Sequence, residues 1–450
     1  MKFSIILFLF LFSGIGFCQT QRIEKYYFGK SGINTIISQP SGETIVVSTF
    51  NSRPSLIKKI AELRLKNWLQ LLLLTIALFI VFLFYNNGDF VLNGEEALLT
   101  KIDIGTEVIV PRKYKPPYNF IFINVGKDLA VVKDELGGDN VITDRTKLAS
   151  IFKILADHDQ HKYVLADILF DLPADNDSAL SVQITRLKRA VFPTHRKDSG
   201  LIEPVFPVHT ALADYNTNTH TFSRFRLMYN DTIKTIPVVM QEELQQVHYH
   251  KNWFGLFCNG KYCFQTIPPR YHIRQYQLQN TADYPYFNLG DLLMLSEDTG
   301  FYNQFLKDKF VVLGNFETDI HYTPIGKMPG VLVLLNTYLS LLDGRQQPSI
   351  AWAITMFVIF FLINVSLLYG NIKIPKPAEH KKWWKVFVYH QFHGIVANFI
   401  SIAGLCLFIS FLSELIFHIK PHTFIIFMYI VMMQEIIKYY RIWKEEQQES

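Results

Sequence analysis

The strongest constraint in this chain is an uncharged run, Asn67 to Tyr85 (NWLQLLLLTIALFIVFLFY), with Trp68 and Tyr85 at its ends. At about 1.5 Å per helical residue it matches the thickness of a bilayer's hydrocarbon layer, and aromatic residues are the usual anchors at the two interfaces. Three further apolar runs follow: Ser349 to Tyr369, Gly394 to Ser413, and a stretch from Pro421 through TFIIFMYIVMMQ that meets Glu435 near its far end. The predicted spans occupy residues 67–86, 349–370, 394–414 and 419–438. Soluble core helices rarely keep so many residues free of charge. Composition agrees: 49% of residues are hydrophobic and 18% charged, against about 25% charged in an ordinary globular chain. That balance excludes a disordered or nucleic-acid-coating protein. The net charge of +5 is small, so electrostatic arguments rest on where charges fall.

Lysine placement gives an orientation. Lys58, Lys59, Arg64 and Lys66 precede the first run, whereas Asp89, Glu95 and Glu96 follow it. Lys373, Lys376, Lys381, Lys382 and Lys385 crowd the loop between the second and third runs, and Lys438, Arg441 and Lys444 follow the fourth. The expectation is a chain with residues 87–348 outside the cytoplasm, a basic cytoplasmic loop at 371–393 and a cytoplasmic tail at 439–450. Residues 1–66 form an N-terminal hydrophobic segment and tether, with one plausible strand at Thr44 to Thr49. Met1 to Cys18 has the build of a secretory signal, which would reverse the first run if cleaved; the lysines of several loops outweigh it.

Residues 87–348 read as a folded α/β unit with a mostly parallel sheet and flanking helices. Phe120 to Val125 and Tyr163 to Phe170 are short, nearly continuous apolar runs, as in strands buried on both faces. Between them Thr143 can cap a helix carrying Leu148, Ile151, Phe152 and Leu155 at helical spacing. A helix through Ala179, Val182 and Leu187, a strand at Ala190 to Pro193, a strand at Phe310 to Leu313 and a helix at Val331 to Leu342 continue the βαβ rhythm. In FCNGKYCF, Asn259-Gly260 predicts a hairpin turn. Cys258 and Cys263 flank it and form either a disulfide or two free thiols.

Three pieces carry a resemblance: ITDR at Ile142 to Arg145, LADILFD at Leu165 to Asp171, and FVVLGNFETDIHYTPIGKMPGV at Phe310 to Val331, closely followed by an apolar run. Together they resemble the type-2 CHASE domain, an extracytoplasmic sensory module of bacterial receptors with cyclase or histidine-kinase outputs. The resemblance covers roughly residues 90 to 440 and implies one span before the sensor, three after it, and a place in the bacterial inner membrane. Leu332 and Leu334 stand where the family tends to have a Glu and a His. The family usually places an output domain after the last span, where this chain has RIWKEEQQES. The resemblance therefore implies a sensor that signals through a separate membrane or signalling protein, contacted by the Lys-rich loop or within the bilayer.

Ligands of open α/β sheets bind beyond the carboxyl ends of the strands. That rule selects Asp171, just beyond the strand ending at Phe170, and Asp319 and His321 after another; with Asp167, which lies within its strand and points into the packing or back to the crevice, they form a ligand-binding set. The same groups can instead cap helices and satisfy loop amides. Asp157, His158, Asp159 and His161, like His248 and His250, read as surface groups and not as metal ligands. No phosphate loop, GxSxG or HExxH occurs, so the expectation is a non-enzymatic protein without cofactor or metal. A structural subunit using the outer domain to bind protein is the rival reading. Glu414, His418 and Glu435 border the last two spans, from where they can reach water.

Overall fold

The computed structural model describes residues 36–38, 44–46, 65–87, 115–133, 137–197, 200–214, 222, 224–279, 284–295, 299–369 and 383–449. The signal-like segment with Cys18 and the lysines at 373, 376, 381 and 382 lie outside the described residues. The chain divides into two units, Met1–Glu62 and Leu63–Ser450. In the first, Thr44–Val46 pairs antiparallel with Ile36–Ser38, so the strand expected near Thr44 is half of a short hairpin.

In the second unit, helix α1 (Leu65–Asn87) precedes a six-stranded sheet. Its strands are β1 (Asn119–Asn124), β2 (Tyr163–Asp167), β3 (Ala190–Thr194), β4 (Thr210–Leu212), β5 (Tyr286–Asn288) and β6 (Lys309–Gly314). They lie in the order β4-β3-β2-β6-β1-β5, and every neighbouring pair is parallel. The central strands are apolar on both sides because both faces are covered, as parallel sheets require. Ile121, Ile123, Val164, Ala166, Val311 and Leu313 face helices α2 (Arg145–Asp157) and α3 (Asp177–Thr185). The alternate residues, among them Phe120, Phe122, Leu165 and Val312, face α4 (Ile236–Gln245) and α5 (Gly330–Leu342).

Some boundaries differ from the expectation. Thr143 ends the antiparallel ribbon Leu129–Lys133/Asp139–Thr143, so its backbone belongs to a ladder. Asp144 caps α2 instead: its Oδ1 accepts from Thr146 N at 2.8 Å and Lys147 N at 3.2 Å. Helix α3 stops before Leu187 and buries Leu180 and Ile184, leaving Val182 exposed. The hairpin at Asn259-Gly260 forms as expected, within a three-stranded sheet of Tyr249–Asn252, Gly255–Cys258 and Lys261–Cys263. Cys258 and Cys263 are free, buried thiols. Cys258 pairs with Lys261 and Cys263 with Leu256, which sets the two sulfurs diagonally on one face of the hairpin. A hydrogen bond between the thiols draws Cys258 down to about 7 and, with burial, pushes Cys263 up.

Helices α6 (Ile350–Tyr369), α7 (Trp383–Phe417) and α8 (Phe424–Glu449) follow the domain. Asn67–Asn87, Ile350–Tyr369 and Ile400–Phe417 are long and apolar enough to cross a membrane; Phe424–Ile437 is a shorter apolar segment. Polar groups inside the bundle pair with one another. Asn364 donates to Thr75 Oγ1 at 3.0 Å and accepts from the Tyr429 hydroxyl, tying α6 to α1 and α8. At the end nearest the domain, Arg345 Nη2 meets Glu414 Oε1 at 2.5 Å, with side chains 2% and 5% exposed. Glu414 is thus held by an arginine of the domain, where the sequence suggested an escape to water.

The start of α5 packs on the end of β6 so closely that no side chain fits between them. A β-carbon on Gly314 would lie 2.8 Å from both Cβ and Cγ1 of Val331. Gly314→Ala is expected to destabilise the chain by about 1–3 kcal/mol, as overpacking does. The check is the thermal midpoint in nanodiscs, which should fall in Gly314→Ala and recover in part when Val331→Ala is added.

Candidate functional site

In a parallel sheet the strands all end on the same side, so the residues that end them form one row. Following the sheet order, that row runs Asp214 just past β4, His195 just past β3, Asp167 at the end of β2, Gly314 at the end of β6, Asn124 at the end of β1 and Asn288 at the end of β5. The register sets Gly314 beside Asp167 on one side and beside Asn124 on the other. Gly314 carries no side chain, so the row breaks there into two halves of different chemistry.

The half over β1 and β5 is closed by amides. Asn124 Nδ2 donates to Asn288 Oδ1 at 3.1 Å and to Glu317 Oε1 at 3.0 Å, while its Oδ1 accepts from Gly126 N at 2.9 Å and Phe316 N at 3.2 Å. With its hydrogen-bonding capacity used internally, Asn124 ties together strand ends and loops.

The other half is ionisable. After β6 the chain passes through Asp319 into the hairpin Ile320–Thr323/Gly326–Pro329 and then enters α5 at Gly330. Asp319 O accepts from Gly330 N at 2.9 Å, and its carboxylate rests against the Gly330 α-carbon. A β-carbon there would press on Asp319 Oδ2 and stand 3.0 Å from His321 Nε2, which explains the glycine. His321 Nε2 lies 2.9 Å from Asp319 Oδ1. The carboxylate thereby sits at the positive end of a helix, which favours its charge. Across the row, Asp214 Oδ1 is 2.7 Å from His195 Nδ1, and its Oδ2 accepts from Arg196 N at 2.9 Å and Arg196 Nε at 3.2 Å.

Asp167 lies between these two pairs and feels both. Burial, then the neighbouring Asp319 carboxylate, pushes its carboxyl up to about 7, with His195 and His321 pulling the other way. The hydrogen bond to Asp214 raises His195 against the effect of burial. Burial would raise Asp214, but the bonds from His195 and Arg196 outweigh it and hold that carboxyl low. The arrangement suits recognition of a charged polar group or a proton: a buried carboxyl drawn toward its neutral form stands beside a half-exposed carboxylate paired with a histidine.

The structure brings Asp167, Asp319 and His321 together and leaves Asp171 elsewhere. Asp171 and Asp177 both act on Arg145, whose guanidinium lies over the Phe170 ring at 4.6 Å, with its Nε 3.2 Å from Asp177 Oδ1. The ITDR arginine therefore ties α2 to the start of α3, and Asp171 serves that tie. Asp214 was missed because β4 is only three residues long and gives no readable period. The strand-end rule, applied to the strand expected at Ala190 to Pro193, points directly at His195. The cluster from Asp157 to His161 disperses: Asp157 pairs with Arg186, Asp159 with Lys188, His158 bonds Asn303, and His161 is buried. His250 stacks on Phe257 at 5.3 Å, and His248 lies 3.6 Å from Glu242. Among the described residues no group of three or more His, Cys, Asp or Glu is placed to hold a metal ion.

A family model for the CHASE2 domain matches residues 112–372, which takes in the whole sheet, its ionisable row and α6. The chain belongs to the CHASE2 domain family. CHASE2 domains are sensory extracellular modules. No curated protein and no solved structure matches the chain. Within the CHASE2 match, the motif from Phe310 to Val331 forms β6, Asp319, His321 and the start of α5, so its most specific stretch is also the wall of the ionisable half-row.

The site sets a pH dependence for this CHASE2 domain. Asp167 holds its proton to about 7 in the folded chain, against an ordinary 3.8. The folded state therefore binds more protons across that window, and the stability this provides at low pH is lost as pH rises through about 7. Thermal midpoints measured from pH 4 to 8 should fall less steeply with rising pH in Asp167→Asn than in the unsubstituted chain.

Proposed function

We propose that this CHASE2 protein is a membrane-bound receiver. The ionisable half-row detects a small polar solute or a protein partner outside the cytoplasm, and the transmembrane bundle passes the result to a separate output protein. In this reading four helices span the bacterial inner membrane, one before the domain and three after it, and the chain performs no catalysis.

One observation carries the proposal. Helix α5 starts at Gly330 beneath the Asp319 carboxylate and ends at Leu342, and only residues 343–349 separate it from α6. Those residues hold the bundle. Arg345 pairs with Glu414 of α7, and Gln346 donates to the Tyr249 hydroxyl at 3.0 Å and accepts from Phe264 N at 2.8 Å through its carbonyl. A shift of α5 therefore acts on both the three-stranded sheet and α7. Signalling needs two arrangements of this junction with different affinity for what binds above. Removing one partner of a buried ion pair costs about 3–5 kcal/mol, so repacking around Arg345 and Glu414 is a discrete change.

One feature favours the rival reading of an assembly subunit that docks protein. Val131 and Val141 face each other across the ribbon after β1 and are 66% and 63% exposed.

The test is a thermal-shift screen of the full chain in nanodiscs against small polar solutes. The proposal expects solutes that stabilise the chain, by about 2.7 kcal/mol at a hundredfold their dissociation constant, and that lose this effect in Asp319→Asn. Stabilisation indifferent to Asp319, or none beside a tightly bound protein partner, would favour docking at the ribbon.

A further inference from the structure

We infer that the turn at Trp253 and Phe254 is a membrane contact, with its two rings entering the headgroup layer of the bilayer that holds the spans. The inference rests on the reading that α1, α6 and α7 are embedded in that bilayer. It concerns a surface of the sensory domain, separate from the ionisable row.

Two large rings stand exposed on a fixed turn. Trp253 is 86% exposed and Phe254 65%. Asn252 Oδ1 accepts from Phe254 N at 3.0 Å and Gly255 N at 3.1 Å, so the turn is held closed by its own side chain. Ordered presentation of two large aromatic rings to water is unfavourable unless something covers them.

The register says where the turn lies. Beyond the last pair of the second and third strands, Leu256 with Cys263, come Gly255 on one strand and Phe264 after the other. The aromatic turn is thus at the level of Phe264. Phe264 packs edge-on against Trp352 of α6 at 5.7 Å and belongs to the same apolar cluster as Phe82 of α1. Gln265 N donates to Asn87 Oδ1 at 3.0 Å, and Asn87 donates to the Tyr262 hydroxyl, so this edge of the sheet meets the last residue of α1.

The two faces of the sheet agree with that placement. Tyr249, Leu256, Cys258 and Cys263 point into the domain core. The opposite face carries the row His250, Phe257 and Tyr262, the first two stacked at 5.3 Å and the last two edge-on at 6.0 Å, which leads to Phe264 and the spans. A turn at the rim of a bundle, carrying a tryptophan beside a phenylalanine, has the composition of an interfacial anchor, because indole joins a large apolar body to one polar N–H. The outer leaflet borders the spans at the level where buried Phe264 packs on Trp352, and it is the occupant that this position selects for the turn beside it.

The experiment compares the full chain with its Trp253→Phe variant in nanodiscs of phosphatidylcholine and phosphatidylglycerol, made with and without acyl-brominated lipids. The difference emission isolates Trp253. It is expected at shorter wavelength than that of indole in water and to lose most of its intensity with brominated lipid. A difference spectrum at the wavelength of water-exposed indole, unquenched, overturns the inference. Short-wavelength emission without quenching also overturns it, in favour of a protein cover. The emission left in Trp253→Phe includes Trp68 and Trp352 on the spans; if brominated lipid fails to quench that, the membrane reading itself fails.

Discussion

A carboxylate lying against a bare α-carbon, Asp319 on Gly330, is the contact on which the remaining geometry depends. It lets α5 begin directly beneath the end of β6, and it stations a charge where the helix amides favour one. Gly314 makes the matching allowance from the strand side, admitting Val331. With both glycines in place, the last helix of the domain is gripped at its start by the ionisable row and followed at its end by the residues that hold the bundle. A larger residue at either glycine would push α5 away from the row and break that continuity.

The sequence conveyed the large features because they depend on composition and period. Central strands of a parallel sheet are apolar on both faces, so FIFINV and YVLAD announce themselves, and three of the apolar runs form helices long enough to cross a membrane. Asp319 and His321 were readable because they follow such a strand within a specific motif. What could not be read depends on distant pairing. Asp214 joins the site through β4, which is three residues long and is recognisable only once β3 lies beside it, and it is Asp214 that draws His195 into a pair. Asp171 was assigned to the row because it follows the same strand as Asp167. Its charge acts on Arg145, brought in by α2, instead. The buried partnership of Arg345 with Glu414 links residues far apart in the chain, and no local pattern records it.

The division of the strand-end row explains how one sheet can be both rigid and responsive. Asn124 bonds at once to the Asn288 side chain, the Glu317 carboxylate and the Phe316 amide, so that half fixes the strand ends. Asp167, with Asp319, His195 and His321 around it, holds a carboxyl that burial and the Asp319 charge raise to about 7, so this half can change charge near neutral pH. A sensory domain of the CHASE2 family needs both properties side by side.

The central claim is that the charge state of the row is felt at the junction with the spans, through α5. Hydrogen–deuterium exchange of the full chain in nanodiscs tests it most directly, comparing Asp167→Asn with the unsubstituted chain at pH 7. The account predicts altered exchange not only at residues 314–330 but also at 340–352 and 413–423, around Arg345, Trp352 and Glu414. Changes confined to the strand ends, with the junction exchanging as before, would contradict it.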